Sequence, residues 1–292
     1  MFTGVYTALI TPFRNGRVDE TGFKKLVESQ ARAGVDGIVP VGTTGEAPTV
    51  DFEEHVRIIE VASFYARGKI KVMAGTGANS TAEAIHLTKS AEYAGADGSL
   101  QVCPYYNKPS QAGLYAHFST VAKSTNLPIC LYSIPGRCNV EIAIETAVQL
   151  AADFPNIVAI KEAGGTPDRV SQLRAALGSK FSILSGDDSM TLPFMSVGAQ
   201  GVISVASNII PRQLSKMVHG YLKGDAKAAL RLHEKYYPLF KDLFVETNPV
   251  PVKAAAAMLG QCREEYRLPL VKISPENRRK LRSTLKAVGV LK

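Results

Sequence analysis

Residues 157–163 read IVAIKEA, a short apolar run that ends in a lysine. A strand of about four to eight residues that is hydrophobic on both faces is typical of a parallel sheet, and a barrel is the closed form of such a sheet. Strand alternation predicts that Ile157, Ala159 and Lys161 share one face. Glu162 then points to the other face. If the first face looks into a barrel, an amine stands at the carboxyl end of its strand, where barrel active sites are built.

An amine in that position suits Schiff-base chemistry. It attacks a ketone only as the free base, and an ordinary lysine is unprotonated in only about one copy per thousand at neutral pH. Apolar neighbours disfavour the ammonium and raise that fraction. Taken alone, residues 157–163 leave two interpretations open. Lys161 is a catalytic amine, or it snorkels to water at a strand end and pairs with a carboxylate such as Glu162.

Length and composition limit the architecture. The chain has 292 residues, of which 46% are hydrophobic, so it can build one large α/β barrel or two ordinary domains. It contains no run of about 18 apolar residues, and its N-terminal residues lack the charged and apolar regions of a signal peptide. We expect a soluble, cytoplasmic protein that does not bind a membrane.

The cysteines and the net charge do not predict a metal or nucleic-acid site. The four cysteines show no CxxC pair and no His-rich spacing, which favours buried free thiols; they are Cys103, Cys130, Cys138 and Cys262. The net charge is +8, but the basic residues are spread along the chain. One cluster, RRKLR at residues 278–282, fits the solvated face of a terminal helix. The charge therefore favours small anionic substrates over nucleic acid.

Strand-like apolar runs alternate with helical segments along most of the chain. There are eight such runs, at residues 5–11, 37–41, 71–74, 98–102, 128–132, 157–160, 181–184 and 201–205. Alternating strands and amphipathic helices imply parallel βαβ units, and eight units close a barrel. Capping-box patterns, Asp51 with Glu54 and Ser80 with Glu83, support the helix starts.

Beyond residue 205 the alternation stops. Four segments read as helices without strands between them, at residues 210–222, 225–245, 251–259 and 275–288. We predict an α/β fold, a (β/α)8 TIM barrel with a C-terminal helical extension. The catalytic barrel is expected over residues 1–224 and a helical domain over residues 225–292.

Polar side chains follow several predicted strands. The GTTGE turn at residues 42–46 exposes backbone N–H groups and two hydroxyls, which suit a carboxylate or a proton relay. Tyr132 and Arg137 follow the fifth strand and suit acid–base chemistry and a bidentate grip on a carboxylate. Tyr105 and Tyr106 follow the fourth strand, where aromatics line a pocket or bury against another subunit. Each feature alone also has an ordinary structural interpretation.

Six motifs, in order, span nearly the whole chain. They are GTTGE (42–46), PYYNKPSQ (104–111), YSIPGR (132–137), IKEA (160–163), LSGDD (184–188) and FVETNPVPVK (244–253). Together they resemble the dihydrodipicolinate synthase family of the N-acetylneuraminate lyase, class I aldolase superfamily. The resemblance implies a lyase that makes 4-hydroxy-tetrahydrodipicolinate for diaminopimelate and lysine biosynthesis. Lys161 would form an imine with pyruvate, whose enamine attacks L-aspartate 4-semialdehyde, with no metal and no organic cofactor.

The resemblance also implies a catalytic set. Its members are Lys161, Tyr132, Thr43 and Tyr106. Tyr132 would be the proton donor and acceptor near the imine, and Thr43 and Tyr106 would complete a proton relay. The resemblance implies a homotetramer, a dimer of dimers, in which Tyr106 enters the active site of a neighbouring subunit.

Substrate-binding residues follow from the same motifs. They are Thr44, Arg137, Ile203 and Gly186. Thr44 would bind the pyruvate carboxylate and Arg137 the semialdehyde carboxylate, while Ile203 would present its backbone to the pyruvate pocket. The chain departs from the usual family pattern at Ser133 and Cys138, both in the loop expected to hold the second substrate. These departures bear on the identity of the aldehyde.

Some family members are inhibited by lysine. The positions that match their allosteric site are Ala47, Pro48, His55, Asn79, Glu83 and Tyr105. We hypothesise that L-lysine inhibits this protein, because Glu83 offers a carboxylate to the ligand's ammonium. Two residues have competing interpretations: Glu83 as the capping-box acid, and His55 as an exposed helix residue.

Two alternative functions stay open. The first is another enzyme of the superfamily, an N-acetylneuraminate lyase or a 2-keto-3-deoxy sugar-acid aldolase, which shares the imine lysine and the tyrosine. Thr43 and Arg137 favour the synthase over these enzymes. The second is a barrel that binds a keto acid without turnover, and the intact set of Lys161, Tyr132, Thr43 and Tyr106 argues against it.

Overall fold

A closed barrel of eight parallel strands forms the centre of the computed structural model, which describes residues 2–292. Strands β1 to β8 span Gly4–Ala8, Gly37–Val39, Lys71–Gly75, Gly98–Val102, Ile129–Ser133, Ile157–Glu162, Ser182–Ser185 and Gly201–Ser204. Each strand pairs with the next, and β8 closes the barrel by pairing with β1. All eight predicted strands form, so the predicted barrel is confirmed.

A helix follows each strand. Helices α1 to α8 span Glu20–Ala33, Phe52–Ala66, Thr81–Tyr93, Gln111–Lys123, Ile144–Asp153, Pro167–Leu177, Thr191–Ser196 and Pro211–Leu222. The predicted capping box of α2 is confirmed, since Asp51 accepts from the Glu54 backbone and Glu54 accepts from the Asp51 backbone. In α3, Ser80 accepts from the backbone N–H of Glu83, but the Glu83 side chain lines a cleft beside the barrel mouth.

Three helices follow the barrel. Helices α9 to α11 span Ala226–Asp242, Val250–Met258 and Pro275–Ala287. Helix α9 packs along α8, and α11 packs on α9 and α10. Leu281 and Leu285 are buried, so the basic run lies on a helix whose other face is covered. The predicted C-terminal helical extension is confirmed, while the domain boundary at residue 224 stays a prediction.

The segment after β1 differs from the prediction. Strand β1 ends at Ala8, and residues 13–18 form a two-stranded antiparallel hairpin, Phe13–Arg14 with Arg17–Val18. Asn15 and Gly16 at its tip have φ of 55° and 77°, the left-handed conformation that a tight hairpin turn requires.

Two apolar layers fill the fold. The inner one lies within the barrel and consists mainly of Phe2, Tyr6, Val39, Met73, Leu100, Cys130, Tyr132, Ala159, Leu184 and Ile203. The outer one lies between strands and helices. All four cysteines are free thiols, as predicted, although Cys262 is only partly buried. None of the helices within residues 2–292 has the length and apolar character needed to cross a membrane.

The alternation predicted for β6 is broken at its start. Ile129 of β5 pairs with Ile157, but the next residue, Cys130, pairs with Ala159, so Val158 is an extra residue. This bulge moves Ile157 to the outer layer, away from the face of Ala159. The prediction that Ile157 shares the inner face is therefore wrong. Beyond the bulge the alternation holds, and Lys161 follows Ala159 on the inner side.

Candidate active site

A cleft of about 600 Å³ opens at the carboxyl ends of the barrel strands. It brings together most of the predicted catalytic and substrate-binding residues, namely Thr43, Thr44, Tyr132, Arg137, Lys161 and Gly186. Ile203 lies in the inner apolar layer, and Val205 just beyond it lines the cleft. These residues lie on or just after five different strands, as expected for a site at a barrel mouth.

Lys161 is the buried amine of this cleft. Its side chain stands near the end of β6 with 7% of the residue exposed, and its Nζ lies 4.0 Å from the centroid of the Tyr132 ring. Burial lowers the pKa of Lys161 to about 8, although Cys130 and Asp188 partly oppose the shift. At pH 7 about one amine in ten is then the free base.

The alternative interpretation of Lys161 as a snorkelling lysine paired with Glu162 is wrong. Glu162 points to the outer side of β6, where its Oε2 accepts from Arg169 Nε at 2.8 Å. Its Oε1 accepts from the backbone N–H of Gly164 at 2.5 Å. Lys161 is buried, and its ammonium faces an aromatic ring. The Lys161 amine and the Glu162 carboxylate therefore lie on opposite sides of β6 and do not form an ion pair.

Tyr132 provides a phenol next to that amine. It is the next-to-last residue of β5 and is almost fully buried, at 5% exposure, beside Lys161 in the paired strand. Burial raises the pKa of Tyr132 far above its ordinary value, and Arg137 only partly offsets this. The phenol is therefore protonated at neutral pH and can give a proton to a developing negative oxygen.

Gly186 leaves room for the lysine. It follows β7, and a Cβ at this position would lie 2.7 Å from the Ala163 Cβ and 3.1 Å from the Lys161 Cε. Any larger residue would push the lysine stem aside. Gly186 therefore contributes to the cleft by having no side chain, which leaves space for the Lys161 stem.

The GTTGE turn forms one wall of the cleft. Its Thr43–Gly45 segment is a single 3-10 turn, and Thr44 is buried. The Thr44 Oγ1 accepts a hydrogen bond from Asn248 Nδ2 at 3.0 Å. Glu46 ends the turn with φ of 57° and ψ of 36°, a left-handed conformation that is uncommon for a non-glycine residue.

The loop after Tyr132 forms the opposite wall. Arg137 lies in a helical turn, Pro135–Cys138, and its Nη2 donates to the backbone oxygen of Asn248 at 3.2 Å. Ser133 is buried and its Oγ accepts from the backbone N–H of Ile142 at 3.3 Å. That bond anchors the returning end of the loop to the Ser133 hydroxyl. Burial raises the pKa of Cys138 to about 11, which keeps it a neutral thiol.

The two loop tyrosines point in different directions. Tyr105 lines the cleft, whereas the Tyr106 side chain is 90% exposed and is absent from the cleft lining found within residues 2–292. Tyr106 also has φ of 72°, a conformation that a bulky residue rarely adopts. The single chain therefore does not bring Tyr106 together with Tyr132, and the role of Tyr106 stays a prediction.

The residues matched to a lysine site continue the same cleft. Ala47, Pro48, His55, Glu83 and Tyr105 all line it. Asn79 lies at its edge, where its Nδ2 donates to the Tyr105 backbone oxygen at 3.3 Å. His55 is buried and its Nε2 donates to the Gly75 oxygen at 2.7 Å, so the exposed-helix interpretation is wrong. Burial lowers the pKa of His55, which favours the neutral ring.

Sequence reasoning missed two residues of the site. They are Asn248, in the FVETNPVPVK motif, and Asp188, in the LSGDD motif, for which the sequence alone predicts no role. Asp188 is buried and accepts from Ser204 Oγ and from the backbone N–H groups of Val205 and Ala206, which fixes the end of β8. The sequence feature that could have indicated them is a polar side chain in an otherwise apolar or turn-forming segment, an amide for Asn248 and a carboxylate for Asp188.

Comparisons with known proteins agree with this site. Residues 1–288 match the model of the Dihydrodipicolinate synthetase family. The 4-hydroxy-tetrahydrodipicolinate synthase of Aquifex aeolicus is 53% identical over 286 residues, which are 98% of this chain and 97% of that protein. The solved 4-hydroxy-tetrahydrodipicolinate synthase from Methylacidiphilum fumariolicum SolV is 56% identical, with a TM-score of 0.97 over 99% of this chain and 96% of that chain. The crystal structure of the Aquifex aeolicus dihydrodipicolinate synthase has a TM-score of 0.98 at 52% identity and covers 99% of both chains.

These matches extend from the first barrel strand through the terminal helices. They therefore include every loop that builds the cleft, and the predicted family is confirmed. The chain belongs to the dihydrodipicolinate synthetase family.

Proposed function

We propose that this chain is a 4-hydroxy-tetrahydrodipicolinate synthase that condenses pyruvate with L-aspartate 4-semialdehyde through a Schiff base on Lys161. The observation that carries the proposal is a buried amine at a barrel mouth, 4.0 Å from the ring of a protonated tyrosine. Curated relatives that span the whole chain bear this enzyme's name. A cytoplasmic location stays a prediction.

Imine formation uses the groups around Lys161. The free amine adds to the ketone carbon of pyruvate, and loss of water from the resulting carbinolamine gives the imine. Tyr132 supplies the proton that the departing hydroxyl needs, and Thr44 holds the substrate carboxylate. A dihydrodipicolinate synthase from Acinetobacter baumannii, 43% identical and with a TM-score of 0.96 over the full length of both chains, has been solved in complex with pyruvate.

Carbon–carbon bond formation follows from the imine. Loss of a methyl proton gives an enamine, whose carbon attacks the aldehyde while Tyr132 and Thr43 relay a proton to the new alkoxide. Arg137 holds the carboxylate of the semialdehyde. The amine of that substrate then attacks the imine carbon, which closes the ring and releases Lys161 as the free amine.

The test is a coupled assay. Product formed from pyruvate and L-aspartate 4-semialdehyde is followed as NADPH oxidation by added dihydrodipicolinate reductase, and Arg137→Met should raise the KM for the aldehyde but not for pyruvate. A folded protein without turnover would overturn the proposal. If borohydride still trapped pyruvate on that protein, the superfamily's sugar-acid and sialic-acid substrates would be tested next.

The rate of imine formation should rise with pH. Only the free amine attacks, and the pKa of Lys161 is about 8, so the rate at limiting pyruvate should increase about tenfold per pH unit below that value and level off above it. The measurement is the initial rate of borohydride trapping of pyruvate between about pH 6 and pH 10. A rate independent of pH over that range would contradict Lys161 as the attacking amine.

The proposal includes a homotetramer in which Tyr106 acts in a neighbouring subunit. Its support is the exposed Tyr106 side chain outside the cleft of its own chain. The Lys161→Ala variant and the Tyr106→Phe variant should each have little activity when assayed separately. After equal mixing and exchange, half of the paired subunits are mixed, and each mixed pair contains one intact site, so activity should reach about a quarter of wild type.

Tyr93 provides the matched control, because its phenol is 95% exposed elsewhere on the surface. Tyr93→Phe should keep full activity without mixing. Absence of any recovery on mixing Lys161→Ala with Tyr106→Phe, despite demonstrated subunit exchange, would contradict the shared site.

L-lysine should inhibit at millimolar concentration. The support is the group of matched residues in one continuous part of the cleft, with the Glu83 carboxylate available to the ligand's ammonium. A dihydrodipicolinate synthase from Cyanidioschyzon merolae, 42% identical and with a TM-score of 0.97 over 99% of both chains, has been solved with lysine bound. Glu83→Gln should weaken inhibition about tenfold or more.

Glu53 is the control for that substitution, because it is an exposed carboxylate on α2 that does not line the cleft. Glu53→Gln should leave lysine inhibition unchanged. Turnover that is insensitive to millimolar lysine in the wild type would refute the regulation. Equal inhibition of wild type and Glu83→Gln would refute the site.

A further inference from the structure

The C-terminal extension contacts both proposed carboxylate-binding residues. Asn248, just before α10, donates from Nδ2 to Thr44 Oγ1 at 3.0 Å, and its backbone oxygen accepts from Arg137 Nη2 at 3.2 Å. Asn248 and Phe244 line the cleft themselves. A segment outside the barrel therefore forms part of the cleft wall.

A buried ion pair ties the same segment to the GTTGE turn. Lys253 in α10 donates to Glu46 Oε1, and the side chains of these two residues are 0% and 1% exposed. The Lys253 Nζ also lies 4.0 Å from the centroid of the Phe13 ring. The second carboxylate oxygen, Glu46 Oε2, accepts from the backbone N–H of Arg267 at 3.3 Å. Both oxygens of Glu46 are thus held by residues of the C-terminal extension.

Glu46 needs this support because of its backbone. Its left-handed conformation is unfavourable for a residue with a Cβ and persists only where surrounding contacts enforce it. Glu46 is also the residue that ends the Thr43–Gly45 turn, its backbone N–H donating to the Thr43 oxygen at 3.1 Å. Whatever holds the Glu46 carboxylate therefore also fixes the turn that carries Thr44.

Asn248 sets the direction of the Thr44 hydroxyl. A hydroxyl has one proton to donate and accepts through its lone pairs. Because the Asn248 amide donates to Thr44 Oγ1, the hydroxyl proton of Thr44 is left for another acceptor. A substrate carboxylate is such an acceptor, and it has no proton to offer in return.

We propose that Lys253 and Asn248 are positioning residues for pyruvate. Lys253 acts through Glu46 to fix the Thr43–Gly45 turn, and the Asn248 amide leaves the Thr44 hydroxyl free to donate to the substrate carboxylate. The inference rests on the proposed function, in which Thr44 binds pyruvate.

Pyruvate binding can be measured apart from the second substrate. The readouts are the pyruvate concentration that gives half-maximal borohydride trapping on Lys161, the amount trapped at saturation, and the melting temperature. Lys253→Met and Asn248→Ala should each raise the half-maximal concentration about 10- to 100-fold, since each weakens the hydrogen bond that Thr44 donates to the charged substrate carboxylate. The amount trapped at saturation should stay at the wild-type level.

Lys280→Met is the matched control. Lys280 pairs with Asp242 at 2.9 Å and joins α11 to α9, within the same extension but without contact to the GTTGE turn. It should leave the half-maximal pyruvate concentration within about twofold of wild type.

A double variant separates positioning from general stability. Lys253→Met alone leaves the Glu46 carboxylate buried without its cation, which destabilises the fold. Glu46→Gln combined with Lys253→Met removes both charges, so the melting temperature should return toward wild type while the half-maximal pyruvate concentration stays raised. Recovery of both quantities together would overturn the proposal.

The outcomes distinguish this inference from the proposed function. Trapping in the wild type with unchanged half-maximal concentrations in the variants would refute the positioning role and leave the enzyme assignment intact. Absence of trapping in the folded wild type would refute the Schiff base itself.

Discussion

Replacing Lys161 with alanine should abolish turnover, with kcat reduced about 10⁴-fold or more, because the substitution removes the group that forms the covalent intermediate. The amine is buried, its pKa is lowered to about 8, and it faces the Tyr132 ring at 4.0 Å. Borohydride with pyruvate should add a stable mass to the wild type and none to Lys161→Ala. The measurements are the coupled rate and the mass of the peptide that contains residue 161.

The chain contains its own control for this experiment. Lys253 is a second buried lysine, but it is paired with Glu46 and does not line the cleft. The peptide containing Lys253 should remain unmodified after trapping in the wild type. Modification there, or turnover of Lys161→Ala within tenfold of wild type, would show that the wrong amine has been assigned.

Tyr132→Phe should lower kcat by about 10²- to 10⁴-fold, the usual contribution of a general acid or base. The ring that packs on the Lys161 amine is kept, so the environment of the lysine changes little and only the transferable proton is lost. Pyruvate should still be trapped by borohydride, but at a lower rate. The measurements are kcat in the coupled assay and the time course of trapping.

Tyr6→Phe is the matched control, because Tyr6 is an equally buried tyrosine of the barrel interior, on β1, that does not line the cleft. Its loss of a hydroxyl should leave kcat within a few-fold of wild type. If Tyr6→Phe and Tyr132→Phe lowered kcat equally, the effect would come from barrel packing and Tyr132 would lose its assigned role.

The barrel could be predicted from the sequence because each strand is a short apolar run with its own local signal. The apolar residues before Lys161 indicate a buried strand, and the position of the lysine at its end indicates the barrel mouth. Because the carboxyl ends of the parallel strands lie at the same barrel mouth, the motifs that follow them are expected to lie close together. Tyr132, Thr44 and Arg137 could be assigned to one cleft for that reason.

The features that could not be predicted depend on partners far away along the chain. The bulge at Val158 is set by how β6 pairs with β5, which no single strand reveals. Asn248 reaches Thr44 across 204 positions of sequence. The hairpin is different, since Asn15-Gly16 is a strong local turn signal. The role proposed for Tyr106 depends on a second chain, whose placement the sequence of one chain does not describe.

The bond between Glu46 and Lys253 has a consequence for synthesis of the protein from its N-terminus. Strand β8, which closes the barrel onto β1, is complete at Ser204, whereas the cation for Glu46 arrives 49 positions later. Contacts between distant parts of a chain form only after both parts exist. A nascent chain that ends before Lys253 can therefore contain all eight strands while the Glu46 carboxylate still lacks its partner. We expect the Thr43–Gly45 turn to gain this support only after the C-terminal extension has been made.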